Sequence, residues 1–184
     1  CSSAASDVYK RQLKYLTEIT DCKKVKVWSR SETGIESYIN DMSFFGWNLE
    51  KAKSPDEIAA TCDLIITATP SKTPLIKSEY LKKGAHINAI GSDSPEKNEL
   101  DKNILKNSSL IVADSIEQCI ERGEISHALS SGAIKKSDVH ELGEILKKNT
   151  RLHCGENENS VADLTGVAVQ DIQIAKAVFK ECEK

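Results

Sequence analysis

Long apolar runs are missing from this chain: no stretch approaches the roughly 20 residues that cross a bilayer, so none reads as a membrane span. An excess of one charge is missing too. Lys+Arg number 25 against 28 Asp+Glu, a formal net charge of -3, which implies no general affinity for nucleic acid. Cysteine pairing is absent: Cys1, Cys22, Cys62, Cys119, Cys154 and Cys182 stand apart, with no CxxC. Zinc needs clustered ligands, so no metal site is read here. Without a signal peptide the thiols read as reduced, in a cytoplasmic protein. GxGxxG and Walker loops are lacking, and with them the phosphate cradle of a nucleotide-binding fold. What remains is ordinary for one large globular domain with a real core: 184 residues, 39% hydrophobic and 29% charged.

The first residues stand apart from the rest. Cys1–Gln12 reads CSSAASDVYKRQ, and DVYKRQ looks like one reading frame of a transposase adapter used in DNA library preparation. We read residues 1–12 as a sequence-assembly scar and leave them out of fold reasoning; an ordinary polar helix start is the alternative. On the scar reading the natural protein continues upstream of Leu13.

From Leu13 onward strands and helices alternate. Leu13, Leu16 and Ile19 have helical spacing, and Val25–Trp28 is a short strand. Thr33–Phe45 is helical, with Ile35, Tyr38, Ile39 and Met42 on one face. Ser54-Pro55-Asp56-Glu57 opens a helix, with serine as N-cap, proline in the first turn and glutamate three residues after the cap. Asp63–Ala68 is a strand whose core LIITA is continuously apolar, the signature of a parallel sheet covered on both faces. Leu75–Lys82 is expected as a helix, Ala85–Ile90 as a strand, Asn98–Lys106 as a helix, Leu110–Ala113 as a strand and Ile116–Arg122 as a helix. After Gly123 the rhythm stops, leaving helices at Ser137–Lys148 and Gly166–Cys182 and a short strand at Ser160–Leu164. The fold class is α/β, a doubly wound parallel sheet.

In such a sheet ligands bind beyond the carboxyl ends of the strands, so the residues that follow each apolar run carry the information. Ser29, Arg30 and Ser31 follow the first strand, where an adenosine ribose lies in a dinucleotide fold. An acidic residue there repels a 2′-phosphate; a guanidinium and hydroxyls suit one, which favours NADP(H) over NAD(H). The alternative is a solvated arginine at a strand end. Thr67, Ala68 and Thr69 follow the second apolar run, where small residues let backbone approach a ring or ribose; a plain turn is the alternative. Ala89 and Gly91 allow the same approach after the third. Asp93 is the best isolated candidate for a catalytic carboxylate beside a nicotinamide and an amino-acid substrate, against a turn aspartate. Asp114 and Ser115 either contact a cofactor or cap the following helix. His86 reads as a satisfied group inside a strand; His127, His140 and His153 do not cluster with it.

The run GAHINAIGSDSPEKNEL at Gly84–Leu100 resembles the signature of the ornithine cyclodeaminase/mu-crystallin family. The likeness continues through VADSIEQCIERGEI at Val112–Ile125, SGAIKKSDVHELGEIL at Ser131–Leu146 and SVADLTGVAVQDIQIA at Ser160–Ala175. Upstream, VKVWSRS at Val25–Ser31 resembles the family's second Rossmann strand. The resemblance implies a Rossmann-like sheet lacking its first strand. Residues 13–150 would form part of the dinucleotide-binding domain, and 151–184 would return to a substrate and dimerisation domain. It implies a homodimer, a nicotinamide cofactor and a small amino or imino acid as substrate, with no nucleic acid or membrane partner. The activities it allows are cyclising deamination, amino-acid dehydrogenation, reduction of ketimines or pyrroline-2-carboxylate with NADPH, and mu-crystallin-like binding of a ligand. Asp93 matches the aspartate that acts in the cyclodeaminases, whereas Ser29-Arg30 looks more like mu-crystallin. Asp163 and Gly166 fall in the segment that matches the nicotinamide neighbourhood. Ala162 and Leu164 depart from the phenylalanine and serine the family often has, which touches the substrate pocket. The family's glycine loop and substrate-binding lysine would lie upstream of Leu13, so the 184-residue polypeptide alone is expected to bind cofactor weakly and to turn over little or not at all.

Overall fold

The computed structural model describes residues 13–148, 152, 154–166, 172, 176 and 179. The suspected scar and most of the helix expected at Gly166–Cys182 lie outside the described residues, as do Cys1, His153 and Cys182.

The elements in chain order are β1 (Lys24–Val27), α1 (Glu32–Met42), β2 (Asn48–Lys51), α2 (Pro55–Thr61), β3 (Leu64–Thr67), β4 (His86–Ala89), α3 (Lys102–Lys106), β5 (Leu110–Ala113), α4 (Ile116–Glu121), α5 (Glu124–Ser130), β6 (Val139–Glu141), α6 (Leu142–Lys147) and β7 (Ser160–Asp163). Each strand pairing is parallel. β1 and β2 make a two-stranded sheet, and the other strands make a five-stranded sheet in the order β3-β4-β7-β5-β6. Both β1 and β3 present an unpaired edge, and among the described residues no strand joins them. This is the Rossmann-like parallel arrangement that the resemblance implied, with no strand between β1 and β3 among the described residues. β7, from the C-terminal part of the chain, is its middle strand.

Burial explains the strand choices. Ile65, Ile87, Ile111 and Val161 lie on one face of the larger sheet at 3% exposure or less. They pack with Leu100, Ile104, Leu105, Ile125 and Ala128 from the helices and loops above. Each fully buried aliphatic side chain of this kind stabilises by about 1.5–3 kcal/mol. A smaller cluster of Leu13, Tyr38, Met42 and Trp47 packs α1 against the β1–β2 unit. α2 starts where Ser54 accepts the Glu57 amide at 3.2 Å, as the sequence predicts, and α1 where Ser31 accepts the Gly34 amide at 3.1 Å, a cap the sequence reading did not assign.

Three sequence expectations are corrected. Leu75–Lys82 is not an α-helix: the Leu75 and Ile76 amides both donate to the Glu99 carbonyl, Ile76 bridges Leu100, and only Ser78–Tyr80 forms a 3-10 turn. The same contacts hold Asn98–Asp101 extended, so α3 begins only after Asp101, which caps it through the Asn103 amide at 2.9 Å. Ser137–Lys148 is not one helix either. Val139–Glu141 pairs with β5 as β6, burying Val139, and helix resumes at Leu142. Two elements had no expectation, β2 and α5.

Candidate functional site

Register builds the site. Thr67 pairs with Ala89, Ala89 with Asp163, Asp163 with Ala113 and Ala113 with Glu141, so the carboxyl ends of five parallel strands finish in one row. The next residues along the chain, Ala68-Thr69, Ile90-Gly91-Ser92 and Asp114-Ser115, form the rim above that row. Small side chains leave the strand ends open, the form a flat ring or a ribose needs for close approach.

Three buried carboxylates organise the rim. Glu99, fully buried, accepts the Thr69 amide at 2.6 Å and the Thr69 hydroxyl at 2.7 Å on Oε1, and the Gly91 amide at 2.9 Å on Oε2. Glu124, 1% exposed at the start of α5, accepts the Glu99 amide at 2.7 Å and the Ser92 hydroxyl on Oε1. Its Oε2 accepts the Asn98 side-chain amide at 2.7 Å and the Leu100 amide at 3.0 Å. Asp163, also 1% exposed, takes the Ile125 amide at 2.8 Å on Oδ2 and so caps α5 from the end of β7. Gly123 precedes that cap with φ 92, and a Cβ there would sit 2.6 Å from the Asp163 carboxylate.

Burial pushes all three carboxyls up. For Glu99 it outweighs the opposing donors of Thr69 and Gly91. For Glu124 it outweighs Ser92 and the Glu99 and Leu100 amides, and the charge of Glu99 adds to the rise. Asp163 stands well above the ordinary aspartate value, through burial first and then the charges of Glu124 and Asp114. The Cys119 thiol beside it is pushed up to about 12 by burial and by the charge of Asp163, which makes it inert as a nucleophile at neutral pH.

The structure brings some of the expected residues together. Thr67, Ala68, Thr69, Ala89 and Gly91 share the β3–β4 end of the rim. Asp93 follows in the loop after β4; its side chain is 58% exposed and its Oδ1 lies 2.5 Å from Lys97 Nζ. Asp114 joins Gly166, accepting its amide at 2.8 Å on Oδ2, while Oδ1 takes the Ser115 amide at 2.8 Å. Ser115 is the N-cap of α4, the capping side of its two readings. Asp163 faces inward, so what its side chain holds is α5. Ser29, Arg30 and Ser31 stay at the end of β1 on the smaller sheet, with Arg30 and Ser31 exposed. His86 is satisfied by the Ser160 hydroxyl at 2.8 Å and the Asn88 side chain at 3.0 Å. His127 contacts the Lys97 carbonyl at 2.8 Å.

Sequence reasoning missed Glu99 and Glu124. No sequence signal marks them, because their partners are backbone and side-chain groups that only the fold brings to them. Four cysteines, Cys22, Cys62, Cys119 and Cys154, are free thiols among the described residues.

Comparison with known proteins follows the same lines. The sequence pattern of the ornithine cyclodeaminase/mu-crystallin family matches residues 7–184. Alanine dehydrogenase of Archaeoglobus fulgidus is 36% identical over 170 residues, which cover 92% of this chain and 52% of that protein. A Delta(1)-pyrroline-2-carboxylate reductase of Bacillus cereus is 32% identical over 168 residues, covering 89% and 51% respectively. A solved archaeal alanine dehydrogenase dimer with bound NAD superposes with a TM-score of 0.83 at 35% identity, covering 92% of this chain and 52% of that one. The chain spans about half the length of the curated relatives it matches.

Proposed function

The chain belongs to the ornithine cyclodeaminase/mu-crystallin family, and from that premise we propose that it binds a nicotinamide dinucleotide across its aligned strand ends and acts on a small amino or imino acid through Asp93. The observation that supports this most is the row of parallel carboxyl ends, closed by small residues and overlooked by an exposed carboxylate.

The residues present fit the group. A Cβ at Gly91 would run into the Thr69 carbonyl and lie 2.5 Å from the Glu99 carboxylate, so internal packing confines position 91 to glycine and it adds no side chain to the rim. Thr67, Ala68, Thr69, Ala89 and Gly91 would form one wall. Asp114, Ser115 and the Asp163–Gly166 segment would form the other, with the Gly166 amide held by Asp114. Ser29, Arg30 and Ser31 would take the ribose and its 2′-phosphate, which favours NADP(H). The bound nicotinamide would supply hydride transfer. Asp93 would hold the substrate's ammonium or move a proton at its nitrogen. Lys97, paired with Asp93, orients that carboxylate. As in the archaeal relative described above, a dimer is the assembly we assign to the full-length protein.

Ser29-Arg30 favours a second reading, an NADPH-dependent reductase of cyclic imino acids. Dinucleotide titration tests the shared premise. The full-length protein should bind NADPH more tightly than NADH, and Arg30→Glu should lower that preference by roughly 10- to 100-fold through loss of a charge-assisted phosphate contact. A preference unchanged by Arg30→Glu removes Arg30 from the site, and failure to bind either dinucleotide removes the proposal.

A further inference from the structure

Glu99 and Glu124 have no part in the chemistry proposed above, yet both are buried beneath it. Burying carboxylates is costly, and apolar side chains of similar volume commonly fill such space at lower cost. What these two do with their oxygens is specific. Glu99 gathers the Thr69 amide and hydroxyl and the Gly91 amide, so one carboxylate ties the ends of β3 and β4. It also occupies the space into which any side chain at position 91 would project. Glycine at position 91 and the carboxylate packed behind it are therefore coupled. Glu124 spans the other side of the same loop: Ser92 at its start, and Asn98, Glu99 and Leu100 at its end. Asp93 and its partner Lys97 lie between those anchors. The clamp is itself held, because Asp163 fixes the first turn of α5 and His127, one turn along, donates its Nε2–H to the Lys97 carbonyl.

We propose that Glu99 and Glu124 are a pair of positioning residues with separate tasks, Glu99 setting the β3 and β4 ends against the dinucleotide and Glu124 setting the loop that carries Asp93. This rests on the dinucleotide reading above. Neither touches the reacting atoms; each acts through backbone that it holds.

The test is amide hydrogen exchange on the full-length protein and on Glu99→Gln and Glu124→Gln, with dinucleotide affinity and turnover measured alongside. In Glu99→Gln one oxygen becomes a donor and cannot serve both Thr69 and Gly91. Exchange at the Thr69 or Gly91 amide should rise roughly 10- to 100-fold, the loss of a hydrogen bond to a charged acceptor, with Ile87 and Ile111 unchanged. Dinucleotide affinity should fall by a similar factor. In Glu124→Gln the faster amides should be Glu99 or Leu100, with turnover reduced and dinucleotide affinity kept. If Glu99→Gln does not fold, Glu99→Asp, one methylene shorter, should show the same pattern. Uniform loss of protection across the sheet in both variants, or no change at these amides, overturns the proposal. A wild-type protein that binds no dinucleotide but shows the two separate exchange patterns sinks the function proposed above and upholds the clamp.

Discussion

Asp93→Asn in the full-length protein should cut turnover of the amino or imino acid by ~10²–10⁴-fold, the usual worth of a positioned proton-transfer group. Dinucleotide affinity should stay as it was, because Asp93 projects from the loop beyond β4 and takes no part in the rim contacts of Thr69 or Gly91. Stability should change little. The pair with Lys97 is solvent-exposed on the aspartate side, and exposed pairs contribute only about 0.2–1 kcal/mol. Product analysis on the unmutated protein separates the chemistries. Ammonia release without net cofactor consumption indicates cyclising deamination; net oxidation of NADPH indicates imino-acid reduction. Turnover unaffected by Asp93→Asn rejects the role assigned to Asp93. Absence of any turnover despite dinucleotide binding supports a mu-crystallin-like binding protein.

Glu124→Ala should destabilise the fold by about 3–5 kcal/mol. It strands the Ser92 hydroxyl, the Asn98 side chain and the Glu99 and Leu100 amides, each a donor whose loss of a buried partner costs about 1–3 kcal/mol. The shortfall from a simple sum reflects water entering the space left behind. The buried carboxylates also set a pH dependence. Glu99, Glu124 and Asp163 have folded values raised above their ordinary values of 4.5, 4.5 and 3.8. Within the window that starts at those ordinary values and runs up to the raised ones, the folded state holds protons that the unfolded chain has released. Stability therefore falls as pH rises through the window and recovers as pH is lowered. Glu32, Glu57 and Glu144 have lowered values, but they act below 4.5, each paired with a lysine: Lys51 and Lys147 at exposed sites and Lys26 at a half-buried one. The melting temperature should thus be higher at about pH 5 than at about pH 8. Calorimetry that finds the reverse slope, or Glu124→Ala melting like the wild type, contradicts this account of the rim.

Much of the fold was legible because its strands declare themselves. Leu64–Thr67 and Leu110–Ala113 are short apolar runs bounded by turn residues, and Ser54-Pro55 marks a helix start by chemistry alone. β2 was not legible: Asn48-Leu49-Glu50-Lys51 has one apolar residue and is a strand because its backbone pairs with β1. β6 hid inside a helical spacing for a similar reason, since Val139 gains more from the edge of β5 than from continuing a helix. The strand-end candidates were readable from the rule that ligands sit at carboxyl ends. Glu99 and Glu124 beneath them, and the inward role of Asp163, were not, because their partners are distant in sequence. Glu99 reaches back 30 residues to Thr69, and Asp163 reaches back 38 to Ile125. Composition and periodicity carry no record of such contacts. A buried acid looks like a surface one until the fold closes over it.

On the proposed function, the row of strand ends holds a nicotinamide dinucleotide. Amide exchange of the full-length protein with and without saturating NADPH tests it most directly. Bound dinucleotide should add protection at residues 29–31, 67–69, 89–93, 114–115 and 163–166, with the 78–80 turn and α3 unchanged. No added protection at these strand ends would contradict it.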